Sequence, residues 1–192
     1  MKIGIFGGTF DPIHNAHLAV AKTARDALNL DRVLVIPAAH PPHKPDATAS
    51  FEHRYKMVEL ACRGISRLEP SLLEAGVERS YSIRTIEKVK RSASIHDVLY
   101  FIIGADAFGD ITTWHRWEDV VAAVEFAVVT RPEAEFMNPS GARTHLLSHV
   151  QMPVSSSGIR EALARGSRPV DLPGAVYAYI VENGLYRLRV RP

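Results

Sequence analysis

The chain has 192 residues, enough for one domain with a sizeable buried core. Hydrophobic residues make up 46% and charged residues 23%, ordinary values that exclude a disordered, collagen-like or low-complexity chain, and no internal repeat is visible. Lys and Arg outnumber Asp and Glu by 23 to 21, which argues against a dedicated nucleic-acid or membrane-surface binder but leaves room for a local phosphate site. Residues 2–7 (KIGIFG) predict a buried strand, short, apolar and ended by glycines. Residues 15–28 predict a helix, because Leu18, Ala21, Ala24 and Leu28 recur at helical spacing. Residues 32–37 predict a second strand, stopped by Pro37, and a Pro- and His-rich loop follows over 38–49. Residues 50–63 predict a helix with Ser50 at its N-cap, 67–73 a strand and 82–92 a helix. Residues 97–103 (DVLYFII) predict a central strand, nearly all apolar as a parallel sheet requires. A short helix is expected at 117–123, a strand at 125–130, a loop at 132–143 and a last strand at 145–151. Two closing helices are expected at 156–165 and 173–183, with Gly184 just past the end of the second.

Strands alternate with helices from end to end, and no linker divides the chain. That pattern predicts an α/β fold: a Rossmann-like, doubly wound sheet of about six mostly parallel strands, in one domain over 1–192. In such sheets ligands bind beyond the carboxyl ends of the strands, where strand order reverses, so functional residues belong just after strands. The single cysteine, Cys62, allows no intrachain disulfide and fits a reducing compartment. The first apolar stretch, residues 3–6, is too short for a signal peptide, and no run of about 18 apolar residues offers a membrane span. A cytoplasmic protein is expected. A homo-oligomer is compatible with the sequence, which does not set an oligomeric state.

The first motif is residues 7–17, GGTFDPIHNAH. Glycines at a strand end let a ligand approach the backbone, and the following helix start offers free N–H groups and a positive dipole end to an anion. His14 and His17 are three apart, which turns both to one face near a helix start. Two imidazoles and a helix N-terminus converging on one spot describe a phosphate site. The alternatives are a glycine turn with two surface histidines, or a zinc site, since H-x-x-H recurs at His40 and His43; no cysteine lies nearby to support zinc. The motif resembles the signature of the nucleotidyltransferase superfamily that carries T/H-x-G-H, whose members transfer a nucleotidyl group from ATP or CTP to a phosphorylated acceptor. Ala16 stands where that family has Gly.

The second motif is residues 153–160, PVSSSGIR. Ser155 or Ser156 can cap a helix, and Arg160 supplies a fork of donors suited to phosphate; the plain alternative is an ordinary capped helix with a surface Arg. The segment resembles the ISSTxIR motif of the same superfamily, which grips ATP phosphates. The middle of the chain bears on the acceptor. HPPHKP (40–45) puts Lys44 on a loop after the second strand, and RSYS (79–82) precedes a helix. Gly104 and Asp106 follow the central strand, where an acidic side chain can accept from ribose hydroxyls, and Trp114 can stack on a flat heterocycle while Trp117 reads as structural.

These segments resemble the bacterial nicotinate-nucleotide adenylyltransferase family, which carries a PPHK/PPHR loop, a PSYT element, a GADxF-like stretch and a following Trp. Here Ser82 and Arg79 replace the Thr and Pro of PSYT. The resemblance implies adenylyl transfer from ATP to nicotinate mononucleotide, with Mg²⁺ carried by the ATP phosphates and no metal site built by the protein. It implies catalytic roles for His14, His17, Lys44 and Arg160. It places ATP at Gly7, Gly8, Thr9, Phe10, His17, Gly104, Asp106, Ser156, Ile159 and Arg160, with the C-terminal helices from about 156 closing over it. It places the acceptor at Thr9, Lys44, Tyr81, Ser82 and Trp114. Nicotinamide mononucleotide or phosphopantetheine as acceptor, a non-catalytic nucleotide sensor and a metal-dependent hydrolase are the competing readings.

Overall fold

A computed structural model of the chain describes residues 1–41, 47–130, 138–147 and 154–187. Its six strands are β1 (Lys2–Gly8), β2 (Arg32–Pro37), β3 (Leu68–Pro70), β4 (Val98–Gly104), β5 (Glu125–Val129) and β6 (Arg143–Leu147). All pair in parallel, in the order β3-β2-β1-β4-β5-β6. The order runs outward in both directions from the adjacent pair β1 and β4, so the switch point lies between their carboxyl ends. The helices are α1 (Asn15–Ala27), α2 (Phe51–Cys62), α3 (Ser82–Ser92), α4 (Ala105–Gly109), α5 (Trp117–Ala123), α6 (Ser156–Ala164) and α7 (Gly174–Glu182). A 3₁₀ turn spans Ile111–Thr113.

Alternate side chains of each central strand enter two separate cores. Val33, Val35, Tyr100 and Ile102 face one core, closed by Leu18, Met57, Ile159 and Val176 of α1, α2, α6 and α7. Ile3, Ile5, Phe101, Ile103 and Phe126 face the other, closed by Ile83, Ile86, Phe108 and Val120 of α3, α4 and α5. The strands are apolar on both faces because both are covered, which is why they read as continuous apolar runs.

Three expectations differ in detail. β3 is only three residues long, Leu68–Pro70, at the sheet edge, where Pro70 is tolerated and the Ser71 N–H still donates to Val35 O at 3.0 Å. β6 starts at Arg143, earlier than expected, and residues 148–151 of the expected strand lie outside the described residues. Its first residues are polar because cross-strand charge satisfies them: Glu125 of β5 lies 2.7 Å from His145 and 3.6 Å from Arg143. The segment after β4 is α4 and the 3₁₀ turn, both too short to show a helical period in sequence.

Candidate active site

The loop from β1 to α1 lies at the switch point. Gly8 must be glycine, since a Cβ there would sit 2.7 Å from the Phe10 ring. Phe10 adopts a φ of 48° and is buried, so its ring enters the core and meets His17 edge-on at 5.1 Å. His14 is the N-cap of α1, in extended backbone geometry, and is only 4% exposed. The Nδ1 of His17 accepts from the backbone N–H of His14 at 3.2 Å, so a neutral His17 carries its proton on Nε2. The two imidazoles stack, with centroids 3.7 Å apart and planes 24° from parallel. Burial pushes the pKa of His14 down to about 4 against the opposing charge of Asp171. At neutral pH His14 is therefore uncharged, and the stack does not set two cations face to face. Thr9 Oγ1 and His14 Nδ1 are buried and without a hydrogen-bond partner among the described residues. Buried polar atoms in that state are open to a hydrogen bond from a water or a ligand.

The loop is held by its neighbours rather than by itself. The buried carboxylate of Asp11 accepts from the N–H of Thr48 (2.7 Å), the N–H of Ala49 (3.1 Å) and the hydroxyl of Tyr186 (2.7 Å). Burial, then the nearby Asp11 charge, raises the Tyr186 pKa far above its ordinary value, so the hydroxyl stays a donor. The PVSSSGIR motif closes directly on the first motif. Arg160 Nη1 donates to the Asp11 carbonyl at 2.7 Å, and Ser156 donates to the Pro12 carbonyl at 2.9 Å. Ser155 is the cap of α6, its hydroxyl accepting from Gly158 N–H at 3.1 Å. Ile159 is a core residue. The Arg160 side chain keeps about a third of its surface exposed, 32%, at the mouth of the loop.

A cleft of about 700 Å³ runs along the carboxyl ends of β1 and β4. Gly7, Gly8, Thr9 and Gly104 form its floor; Tyr81, Ser82 and Thr85 of the α3 start and Trp114 form its wall. At Gly7 and Gly104 a Cβ would meet nothing within 4 Å, so both glycines open onto free space. Trp114 is held edge-on against Phe101 at 5.9 Å, while Trp117 begins α5 and packs on the second core. Ser80 is occupied elsewhere: its hydroxyl and N–H bond the backbone of His40, both at 3.0 Å. Asp106 is exposed on the first turn of α4, and Ala107 and Asp110 of that segment reach the cleft instead. Lys44 and His43 lie outside the described residues.

Sequence reasoning missed three residues. Glu74, buried at the cleft wall, accepts from the Thr85 hydroxyl (2.6 Å) and the Ala39 N–H (3.3 Å); nothing in the local sequence around it signals this. His115 packs against Tyr81 with ring centroids 4.4 Å apart and planes tilted by 39°, and lines the cleft beside Trp114. Arg54 is fully buried, and its signal was legible: it sits on the α2 face of Met57, Val58 and Ala61, a charge at an apolar position. Among the described residues no group of three or more His, Cys, Asp or Glu side chains converges. The stacked geometry of His14 and His17 sets the two rings side by side rather than aiming both at one metal position.

A family model described as cytidylyltransferase-like matches residues 5–162. A Solibacter usitatus protein named "Probable nicotinate-nucleotide adenylyltransferase" is 53% identical over 187 residues, covering 97% of this chain and 100% of its own length. A protein of the same name from Exiguobacterium sibiricum is 39% identical over 188 residues, covering 97% and 99%. The solved Plasmodium falciparum nicotinic acid mononucleotide adenylyltransferase, complexed with NaAD, shares the fold with a TM-score of 0.80 over 96% of this chain and 97% of that one, at 22% identity. With both motifs joined at the switch point and relatives matched over nearly its full length, the chain belongs to the nicotinate-nucleotide adenylyltransferase family of cytidylyltransferase-like proteins.

Proposed function

We infer that this protein transfers the adenylyl group of ATP to nicotinate mononucleotide, forming deamido-NAD and pyrophosphate for NAD synthesis. The observation that carries this reading is the stacked His14–His17 pair at the start of α1, beside a cleft with a tryptophan wall. The acceptor phosphate attacks the α-phosphorus in line; one P–O bond forms and the bond to the β-phosphate oxygen breaks. The nucleophile is already an anion, so no general base and no covalent intermediate are required. Catalysis then consists of positioning two anions and stabilising the charge that spreads over the phosphoryl oxygens.

Each residue has a role in that scheme. His17 donates from Nε2, and His14 provides a second, neutral imidazole at the same helix start. Arg160 and Lys44 neutralise phosphates. Gly7, Gly8, Thr9 and Gly104 allow the nucleotide close to the backbone, Asp106, exposed on the first turn of α4 outside the cleft lining, would have to reach the ribose from the cleft rim, and the α6 start with Ser156 closes over the phosphates. Phe10 and Ile159 act from the core, by setting His17 and α6. Tyr81, Ser82 and Trp114 hold the acceptor ring. A divalent ion, Mg²⁺ in this reading, would be held by ATP oxygens, since no described set of side chains builds a cage for it, and would supply charge neutralisation. The reading places the protein in the cytoplasm, and no described helix is long and apolar enough to cross a membrane.

The test is pyrophosphate release from ATP and Mg²⁺ with nicotinate mononucleotide, nicotinamide mononucleotide and phosphopantetheine in parallel. Strong preference for the first is expected. Preference for either of the others keeps the histidine chemistry and overturns the acceptor. In the same assay His17→Ala is expected to lose at least about 10²-fold in turnover while folded, the usual cost of one preorganised donor. Near-normal turnover of that variant removes His17 from the mechanism.

A further inference from the structure

Arg54 does not touch the cleft, yet it holds the residues that form its edge. It is 1% exposed and heads the fully buried side chains by size. Its guanidinium donates four hydrogen bonds, all to backbone carbonyls. Nη1 reaches Thr9 (2.7 Å) and Ala38 (2.6 Å), Nη2 reaches Ala39 (3.2 Å), and Nε reaches Ala49 (3.2 Å). Among the described residues it makes no ion pair. Desolvation is the main force on it and lowers its pKa from the ordinary arginine value. A cation this deep is expensive to bury, and an apolar side chain would fill the same volume at less cost. What an apolar side chain cannot do is hold four carbonyls at fixed spacing.

The four carbonyls are not a random set. Thr9 follows β1, Ala38 and Ala39 follow β2, and Ala49 leads into α2. Thr9 and Ala38 both line the cleft, and the Ala38 N–H closes the arrangement by donating to Gly8 O at 2.8 Å. The N–H of Ala39 goes to Glu74, which takes the Thr85 hydroxyl of α3 at the acceptor wall. The N–H of Ala49 goes to Asp11, whose backbone is gripped by Arg160. One planar fork therefore ties the β1 end to the β2 end, and through one peptide on each side reaches the acceptor wall and the loop that carries His14.

The geometry points to Arg54 as a positioning residue for adenylyl transfer: it sets the spacing between the Thr9 and Ala38 edges of the cleft, and with it the placement of the acceptor against the nucleotide. This rests on the adenylyltransferase reading above. Lysine keeps the charge but offers one nitrogen, which cannot span four carbonyls. A displacement of about 1 Å at the reacting groups costs on the order of 10²-fold in rate.

The experiment compares the full chain with Arg54→Lys and Arg54→Gln, taking kcat and the KM of each substrate alongside circular dichroism. Every sample is run with and without trimethylamine N-oxide, which restores folding to destabilised variants. For folded Arg54→Lys, kcat is expected to fall by about 10- to 100-fold and the acceptor KM to rise several-fold, with the ATP KM within about twofold. The osmolyte is expected to restore the fold and not the rate. A purely structural residue gives the opposite: unchanged KM values, and full kcat once the osmolyte has refolded the variant. That outcome overturns the proposal, as does normal catalysis by folded Arg54→Lys, or variants that stay unfolded in osmolyte. The wild-type chain in the same assay separates the two levels. A wild type inactive with every acceptor overturns the adenylyltransferase reading itself, whereas an active wild type with equally active variants overturns only the role of Arg54.

Discussion

His14 shows how far a single side chain depends on its surroundings. Its ring is 4% exposed and its pKa is pushed down to about 4 from 6.5 by desolvation, with Asp171 pulling the other way. Because the folded-state value is the lower one, the unfolded chain binds the proton more readily. Stability from this group is thus complete above pH 6.5 and is lost as the pH falls from 6.5 towards 4. The loss amounts to about 3 kcal/mol, since each tenfold difference in proton affinity between the folded and unfolded chain is worth about 1.4 kcal/mol. Urea midpoints of the ligand-free protein between pH 7 and 4 are expected to show it, and His14→Gln is expected to flatten that part of the curve. Parallel curves for the two proteins contradict a buried neutral His14. The pairing of His14 with His17 was legible in their spacing. The neutral state of His14 was not, because it depends on burial in the assembled fold and on Asp171, which is distant in sequence.

At the scale of elements, local rules account for most boundaries. Ser50 caps α2 by accepting from His53 N–H, as its position predicted, and Gly184 follows α7 with a φ of 62°. Ser155 rather than Ser156 caps α6, and this division of labour frees Ser156 to bond Pro12. Ser155→Ala is therefore expected to cost about 1 kcal/mol of stability, read from denaturant unfolding, with little change in turnover. A loss of turnover well beyond the loss of stability would place the Ser155 hydroxyl in the reaction. Two short elements and the start of β6 escaped sequence reading, because none of them shows a period to read. α4 has five residues and the 3₁₀ turn three, and β6 opens with polar residues that find their partners only across the sheet, on β5.

At the scale of the molecule, the two ends of the chain meet at Asp11. Its carboxylate collects the Tyr186 hydroxyl and two N–H groups from 48–49, while Arg160 takes its carbonyl. Tyr186→Phe removes one oxygen and leaves a buried carboxylate short of one donor. A loss of about 1–3 kcal/mol is expected, measured by urea unfolding, because an unmet buried group costs more than an average hydrogen bond contributes. A change within about 0.5 kcal/mol, the scale of an ordinary surface substitution, would mean that Asp11 is satisfied without the C-terminal segment.

Local pattern alone determined the α/β class, the central strands, the position of the two motifs after β1 and at the start of α6, and the spacing that brings His14 and His17 together, because apolar period, caps and glycine turns act within a few residues. Tertiary structure decided what those residues face. It turned Phe10 and Ile159 into the core, gave Arg160 and Ser156 to the backbone of the first motif, and set Glu74 in the cleft wall with Arg54 behind it. These are contacts across up to 149 residues of chain, made only when the sheet brings strand ends together. Burial, and the charge state that follows from it, exists only after that assembly.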